Sequence, residues 1–186
     1  MTEREKMIAG EIYNPDDEEL TRVRLKAHHL CTEYNKLFED TDEIRRKEIL
    51  KELLPNVKGD IFLPGPIYFD YGFNFIAGKN FFANFNFTVL DCAPVIIGDN
   101  VMIGSSVSLL TPVHDMNYVK RNTFFEAAKK IKIGDNCWLA SNVTVIGGVT
   151  IGSGSVIGAG SVVTRDIPEN VFAAGVPCKK IRDIVC

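Results

Sequence analysis

From Ile133 to Thr164 the apolar and small residues recur at a period of six. An aliphatic residue leads each six: Ile133, Leu139, Val145, Ile151, Ile157 and Val163. A small residue follows most leaders (Gly134, Ala140, Gly152, Gly158). A second small or β-branched residue comes four places after the leader (Cys137, Val143, Val149, Ser155, Ser161). Six is neither the 3.6 of an amphipathic helix nor the 2 of a half-buried strand. It predicts short strands separated by corners, with the leader pointing inward and Gly or Asn absorbing the corner backbone. Three such flats make a triangular turn, and turns stack as parallel strands about 4.8 Å apart. The pattern therefore predicts a hexapeptide β-helix. A Gly-rich loop with accidental spacing would not keep every leader in phase.

The same phase is found upstream at Ile97, Ile103 and Leu109, slips near Cys92-Ala93-Pro94, and is traced before that from Ile76 and Phe82 with aromatic leaders. Residues 3–55 instead have helical spacing. Asp16 and Asp17 precede an acidic first turn, and Leu20, Val23, Leu25, Ala27, Leu30, Tyr34 and Leu37 form an apolar stripe. Thr41 and Asp42 open a second helix carrying Ile44, Ile49, Leu50, Leu53 and Leu54, with Pro55 beyond its end. The expected organisation is one mainly β unit. Residues 1–58 form an α-helical cap that covers the first strand edge. Residues 59–168 form the parallel β-helix, interrupted by an inserted loop at 113–130. Residues 169–186 form a C-terminal cap, where Pro168 and Pro177 end the ladder.

The 186 residues suffice for one solenoid with its caps. With 46% hydrophobic residues and a net charge of −3, the balance points away from disorder and from nucleic-acid binding. No apolar run reaches the length of a membrane span. The stretch MTEREKMIAGEIY has no apolar core, so no signal peptide is expected. Five scattered cysteines without a CxxC pair predict neither a disulfide framework nor a zinc site, and a reducing cytoplasm suits them.

Candidate chemistry lies where the period fails. The insertion has no six-residue logic, is polar and holds His114. Insertions in repeat folds map to loops on one face, often the binding face. A histidine at such a root suits general-base work. His28 and His29 sit in the helical region and read as surface or cap residues. One histidine in the repeat region cannot supply a three-imidazole zinc site, and no GxSxG offers a serine nucleophile. What remains is base catalysis of direct attack by a hydroxyl or amine on an activated carbonyl, with no metal. Lys179, Lys180 and Arg182 read either as a solvated terminus or as an anion site.

These residues resemble the maltose/galactoside O-acetyltransferase group of the hexapeptide-repeat acetyltransferases. The likeness runs through MIAGEIYNPDDEEL, FDYGFNFIAGKNFFANFN, IGDNVMIG, IGDNCWLASNVTVIGGVTIG and SVIGAGSVVTRDIPENVFAAGVPCKKIR. The resemblance implies a left-handed parallel β-helix and a homotrimer with active sites between subunits. It implies acetyl-CoA as co-substrate, a sugar as acceptor and His114 as the base. Acceptor positions fall at Asp70, Asn84, Glu126, at Asp91 or Cys92, and at Asp16 or Asp17, with Asp17 favoured by spacing. Glu126 matches the maltose-type branch. Cofactor positions fall at Asn84, Trp138, Ser141, Ala159, Thr164, Arg165, Lys179 and Arg182. Two other readings stay open: a different acceptor such as an antibiotic, serine or another amine, and a non-catalytic β-helix scaffold.

Overall fold

A computed structural model describes residues 1–185; Cys186 lies outside the described residues. Helix α1 (Glu3–Ala9) starts with a capping box between Thr2 and Glu5 and ends on Gly10 at φ +78°. Helix α2 (Glu18–Tyr34) is capped by Asp17. Helix α3 (Glu43–Leu53) ends before Pro55. The buried stripe of α2 is Leu20, Ala27, Cys31 and Tyr34. Leu25, expected in that stripe, is 51% exposed, and Ile44 of α3 is 78% exposed. Both lie five residues from a buried neighbour (Leu20 and Ile49), which turns them well away from the core side at about 100° per residue.

Arg46 joins the helices to the first coil. Its guanidinium lies 4.1 Å from the Tyr34 ring centroid and donates to the carbonyls of Leu37, Leu63 and Pro64 at 2.8–2.9 Å. A buried cation is tolerated when its donors are satisfied in this way.

From Ile61 the chain winds through three sheets in turn, a seven-stranded, a five-stranded and a four-stranded one. One turn is Ile131–Ile133, Trp138–Leu139 and Thr144–Ile146; the next is Thr150–Ile151, Val156–Ile157 and Val162–Val163. All pairings between turns are parallel and keep the leaders in line: Ile97, Ile133 and Ile151; Ile103, Leu139 and Ile157; Leu109, Val145 and Val163. Every one of these leaders is buried, and so are Cys137, Val143, Val149, Ser155 and Ser161 between them. At one corner Asn80, Asn100 and Asn136 adopt φ of +56° to +57°. Their side-chain amides form a ladder at 2.9 and 3.2 Å, so asparagine both accepts the left-handed backbone and satisfies its own polar group.

The early coils correct the expected phase. The inward leaders there are Ala77, Ala83 and Val89, paired with Ile97, Ile103 and Leu109, whereas Ile76 and Phe82 face outward. A one-residue shift exchanges the faces of a strand, and Phe81-Phe82 reads as apolar in either register. Phe75, Phe81 and Phe87 fill the position two before the leader, where later coils carry Val, Ile, Cys or Ser. Large rings are thus balanced by small alanines within a prism of constant width. The slip adds two residues between Val89 and Ile97 and leaves Asp91, Cys92 and Ala93 buried.

The coil continues past residue 168. Val171–Ala174 pairs in parallel with Val156–Ile157, and Lys179–Asp183 then closes that sheet edge antiparallel. At the insertion, Pro112–Val113 pairs antiparallel with Ala127–Ala128, and helix α4 (Tyr118–Arg121) lies within the loop.

Candidate active site

The antiparallel root of the loop brings His114 and Glu126 side by side, because Val113 pairs with Ala127. His114 Nε2 stands 3.5 Å from Glu126 Oε2; the histidine side chain is 53% exposed and the glutamate 12%. Tyr13, on the segment between α1 and α2, holds the glutamate from behind. Its N–H donates to the Glu126 carbonyl at 2.9 Å, the Glu126 N–H donates back at 3.2 Å, and the Tyr13 hydroxyl donates to Glu126 Oε1. Burial first, then Cys92 and Glu126, keep that phenol far above its ordinary range, so it remains a donor. A cleft of about 410 Å³ opens in front of His114, between Ile12, Asp115, Lys120, Phe125 and Glu126.

Behind Tyr13 lies Cys92, whose Sγ is 3.7 Å from Asp70 Oδ2. Burial, then the Asp70 charge, push the Cys92 thiol up, which disqualifies it as a nucleophile. His28 Nε2 stands 3.5 Å from Asp70 Oδ1, and the two border a second cleft with Cys31, Thr32, Asn35 and Tyr68. His28 is exposed on the cap helix, as expected, and it faces Asp70. No spacing in the sequence could show this, because it follows from α2 packing across the strand Ile67–Phe69.

One acceptor assignment changes. Asp91 is fully buried, and its carboxylate accepts from the N–H groups of Tyr71 at 2.9 Å and Asn74 at 3.2 Å. It fastens the slipped corner and presents nothing to a ligand. Asp17, half-buried, caps α2 through Oδ1 alone, accepting from the N–H groups of Glu19 and Leu20 at 3.0 and 3.2 Å, while Asp16 is exposed.

Burial raises the Asp91 carboxyl from 3.8 to about 6, against the opposing hydrogen bonds from the backbone. The folded chain then holds this proton more tightly than the unfolded chain does. Unfolding free energy falls as pH rises from about 4 through about 6, and Asp91 adds no further change above about 7. Wild type is expected to lose about 2–3 kcal/mol relative to Asp91→Asn between pH 4 and pH 7. Urea unfolding of both proteins at the two pH values measures this.

The remaining positions sort onto two corners of the prism. The corner between the seven- and five-stranded sheets carries Asn84, Ser141 and Ala159. Backbone bonds stack it: Gly104 N–H to Leu139 O at 2.7 Å, Ala140 N–H to Ile157 O at 2.9 Å and Gly160 N–H to Ser141 O at 2.9 Å. A Cβ on Gly104 would lie 2.6 Å from the Ser141 nitrogen, so the column cannot be built closer with larger residues. Asn84 Oδ1 accepts from the Phe85 N–H at 2.8 Å. Trp138 faces outward, 50% exposed, on the sheet that leads to this corner, in register with Met102 and Val156. The Lys179–Asp183 strand borders the same sheet, with the Arg182 guanidinium 5.6 Å over Phe172. The next corner, between the five- and four-stranded sheets, carries Asp70, Cys92, the loop root with His114, and the exposed Thr164 and Arg165. His114 and Asn84 therefore stand at opposite ends of one flat of the same chain.

Comparison with known proteins agrees with this architecture. Residues 6–59 match the maltose acetyltransferase hexapeptide capping motif. Residues 130–165 match the bacterial transferase hexapeptide (six repeats), and residues 94–114 the hexapeptide repeat of succinyl-transferase. The chain is 43% identical to galactoside O-acetyltransferase of Escherichia coli (strain K12), over 99% of this chain and 89% of that protein. It superposes on a maltose O-acetyltransferase from Clostridium difficile 630 with a TM-score of 0.96 and 42% identity, covering 100% and 99% of the two chains. A hexapeptide-repeat-containing acetyltransferase from Vibrio cholerae O1 biovar eltor, solved with acetyl coenzyme A, gives a TM-score of 0.91 and 34% identity, with both chains covered in full.

Proposed function

The chain belongs to the maltose/galactoside O-acetyltransferase group of the hexapeptide-repeat acetyltransferases, and on that premise we propose that it transfers the acetyl group of acetyl-CoA to a sugar hydroxyl with His114 as general base. The observation that carries this reading is His114 at the rim of a cleft at the loop root, its imidazole exposed beside a mostly buried carboxylate. His114 removes the hydroxyl proton as the oxygen attacks the thioester carbonyl. The tetrahedral oxyanion is met by a backbone N–H of the corner at Ser141. The thiolate leaves and takes the proton from the imidazolium. No acyl-enzyme forms, in keeping with the buried, raised thiols of Cys31, Cys92, Cys137 and Cys178.

Acetyl-CoA would lie along the small-residue corner at Asn84, Ser141 and Ala159, with Trp138 as a wall and Thr164, Arg165, Lys179 and Arg182 offering cations and hydroxyls to its phosphates. Asp70 and the loop root face the acceptor. His114 and Asn84 occupy different corners of one chain, and a flat of a few extended residues separates them by about 10 Å. A homotrimer with the His114 corner of one subunit facing the Asn84 corner of the next would bring the two groups together, and active sites between subunits are part of the proposal. Among the described residues no helix is long and apolar enough to cross a membrane, and a cytoplasmic location fits this reading.

The test is thiol release from acetyl-CoA with maltose, glucose, a galactoside, serine and an aminoglycoside as acceptors. Product mass is read in parallel and oligomeric mass by light scattering. Sugar-dependent release with O-acetyl sugar as product is expected from a particle three times the 20.7 kDa chain. Acetylation of only the amine acceptors would overturn the sugar reading. A fully active monomer would overturn the shared site.

A further inference from the structure

Resting on His114 as the base, we infer that Glu126 and Tyr13 form a positioning relay for it, Tyr13 fixing Glu126 and Glu126 fixing the tautomer and orientation of the His114 ring. Three observations meet here. The Glu126 carboxylate divides its oxygens, Oε1 to the Tyr13 hydroxyl and Oε2 toward His114 Nε2 at 3.5 Å. Its backbone is clamped in both directions by the Tyr13 backbone, so the carboxylate is held on an anchored residue although it belongs to an inserted loop. Tyr13 itself is fully buried in a cluster with Met7, Leu20, Tyr71, Cys92 and Ala128. The N-terminal helices are thereby tied to the base through one side chain.

Glu126 lines the same cleft as His114, with one oxygen occupied by Tyr13 and the other turned toward the imidazole. It has the right charge and place to hold a proton on the near nitrogen of His114, leaving the far nitrogen its lone pair for the hydroxyl. When that far nitrogen takes the proton, the imidazolium stands beside the carboxylate. The proton then passes to the departing sulfur and the ring returns to its starting tautomer. A separation of 3.5 Å is long for a finished hydrogen bond, and such contacts tighten when both substrates are bound. The other charges bordering the cleft are Asp115 and Lys120, 3.7 Å from each other, and they neutralise one another.

The experiment compares Glu126→Gln, Tyr13→Phe and His114→Ala in full-length enzyme, by steady-state kinetics and by nitrogen-15 NMR of the histidine rings at neutral pH. Glu126→Gln is expected to lower kcat about 10- to 100-fold with little change in acceptor KM, and Tyr13→Phe to lower it several-fold. The His114 ring should show one dominant neutral tautomer in wild type and a mixture in Glu126→Gln. Adding Glu126→Gln to His114→Ala should cost nothing further, since a residue acting through the histidine has nothing left to act on. A raised acceptor KM at unchanged kcat, or an unchanged tautomer, would overturn the relay and return Glu126 to the acceptor site. Full activity in His114→Ala would instead overturn the base assignment beneath it, so the two failures are distinct.

Discussion

Replacing His114 with alanine is expected to lower kcat/KM for acetyl transfer by about 100- to 10,000-fold, the range a positioned general base contributes. The fold should survive the change, because the side chain is more than half exposed and its ion-pair partner, Glu126, is held independently by Tyr13. Affinity for acetyl-CoA should also survive, since the proposed cofactor corner at Asn84, Ser141 and Ala159 lies one flat away in the same chain. What remains in the variant is the rate from holding acceptor and thioester together. Steady-state kinetics with acceptor saturating, alongside a thermal melt and a measurement of coenzyme A binding, separates loss of chemistry from loss of structure. A variant that turns over like wild type would sink the proposed mechanism.

Phe75→Ala is expected to cost about 3–5 kcal/mol of folding free energy, a large share of what a domain of this kind possesses. Phe75 is completely buried and lies at the centre of the aromatic coils. Its ring centroid is 5.3 Å from Phe69, 5.5 Å from Phe81 and 6.1 Å from Phe87, all in edge-on arrangements. The neighbouring leaders are the small residues Ala77 and Ala83, which are too short to fill the hole. Phe75→Leu should cost clearly less, because it leaves a smaller cavity. Urea unfolding of the two variants beside wild type measures both. A loss below about 1 kcal/mol for the alanine variant would mean that the prism relaxes inward, against the close packing inferred from these rings.

Much of the frame was legible because a repeat states its own geometry. Once Ile133, Leu139 and Val145 share a phase, the inward face of every later coil is fixed, and each such residue is buried. The early coils were harder for a physical reason. Phe81 and Phe82 are equally apolar, so period alone could not say which one faces the core, and Ala83 as an inward leader carries no hydrophobic signal. Leu25 and Ile44 misled in the same way: an apolar residue adjoining a helical stripe looks like part of it until the packing partner is known. Asp91 was drawn into the acceptor set by its position, yet its two oxygens serve backbone N–H groups across the slipped corner. Asp17 caps a helix through one of its two oxygens. For Asp91 local backbone donors took both oxygens, and no pattern along the chain foretells that.

By itself, the sequence determined the period, hence the parallel coil, the helical segment ahead of it, the place of the interruption and the one histidine within that interruption. Those are local or periodic properties, set by residues within a few positions of one another. Only the tertiary structure decided that Tyr13 reaches across the chain to Glu126, that His28 meets Asp70, and that His114 and Asn84 occupy different corners of one prism. These juxtapositions depend on how many residues each coil consumes before it closes and on how the helices lie across it. No pattern along the chain encodes them, since the residues that meet are separated by tens of positions and are brought together by the stacking of the turns.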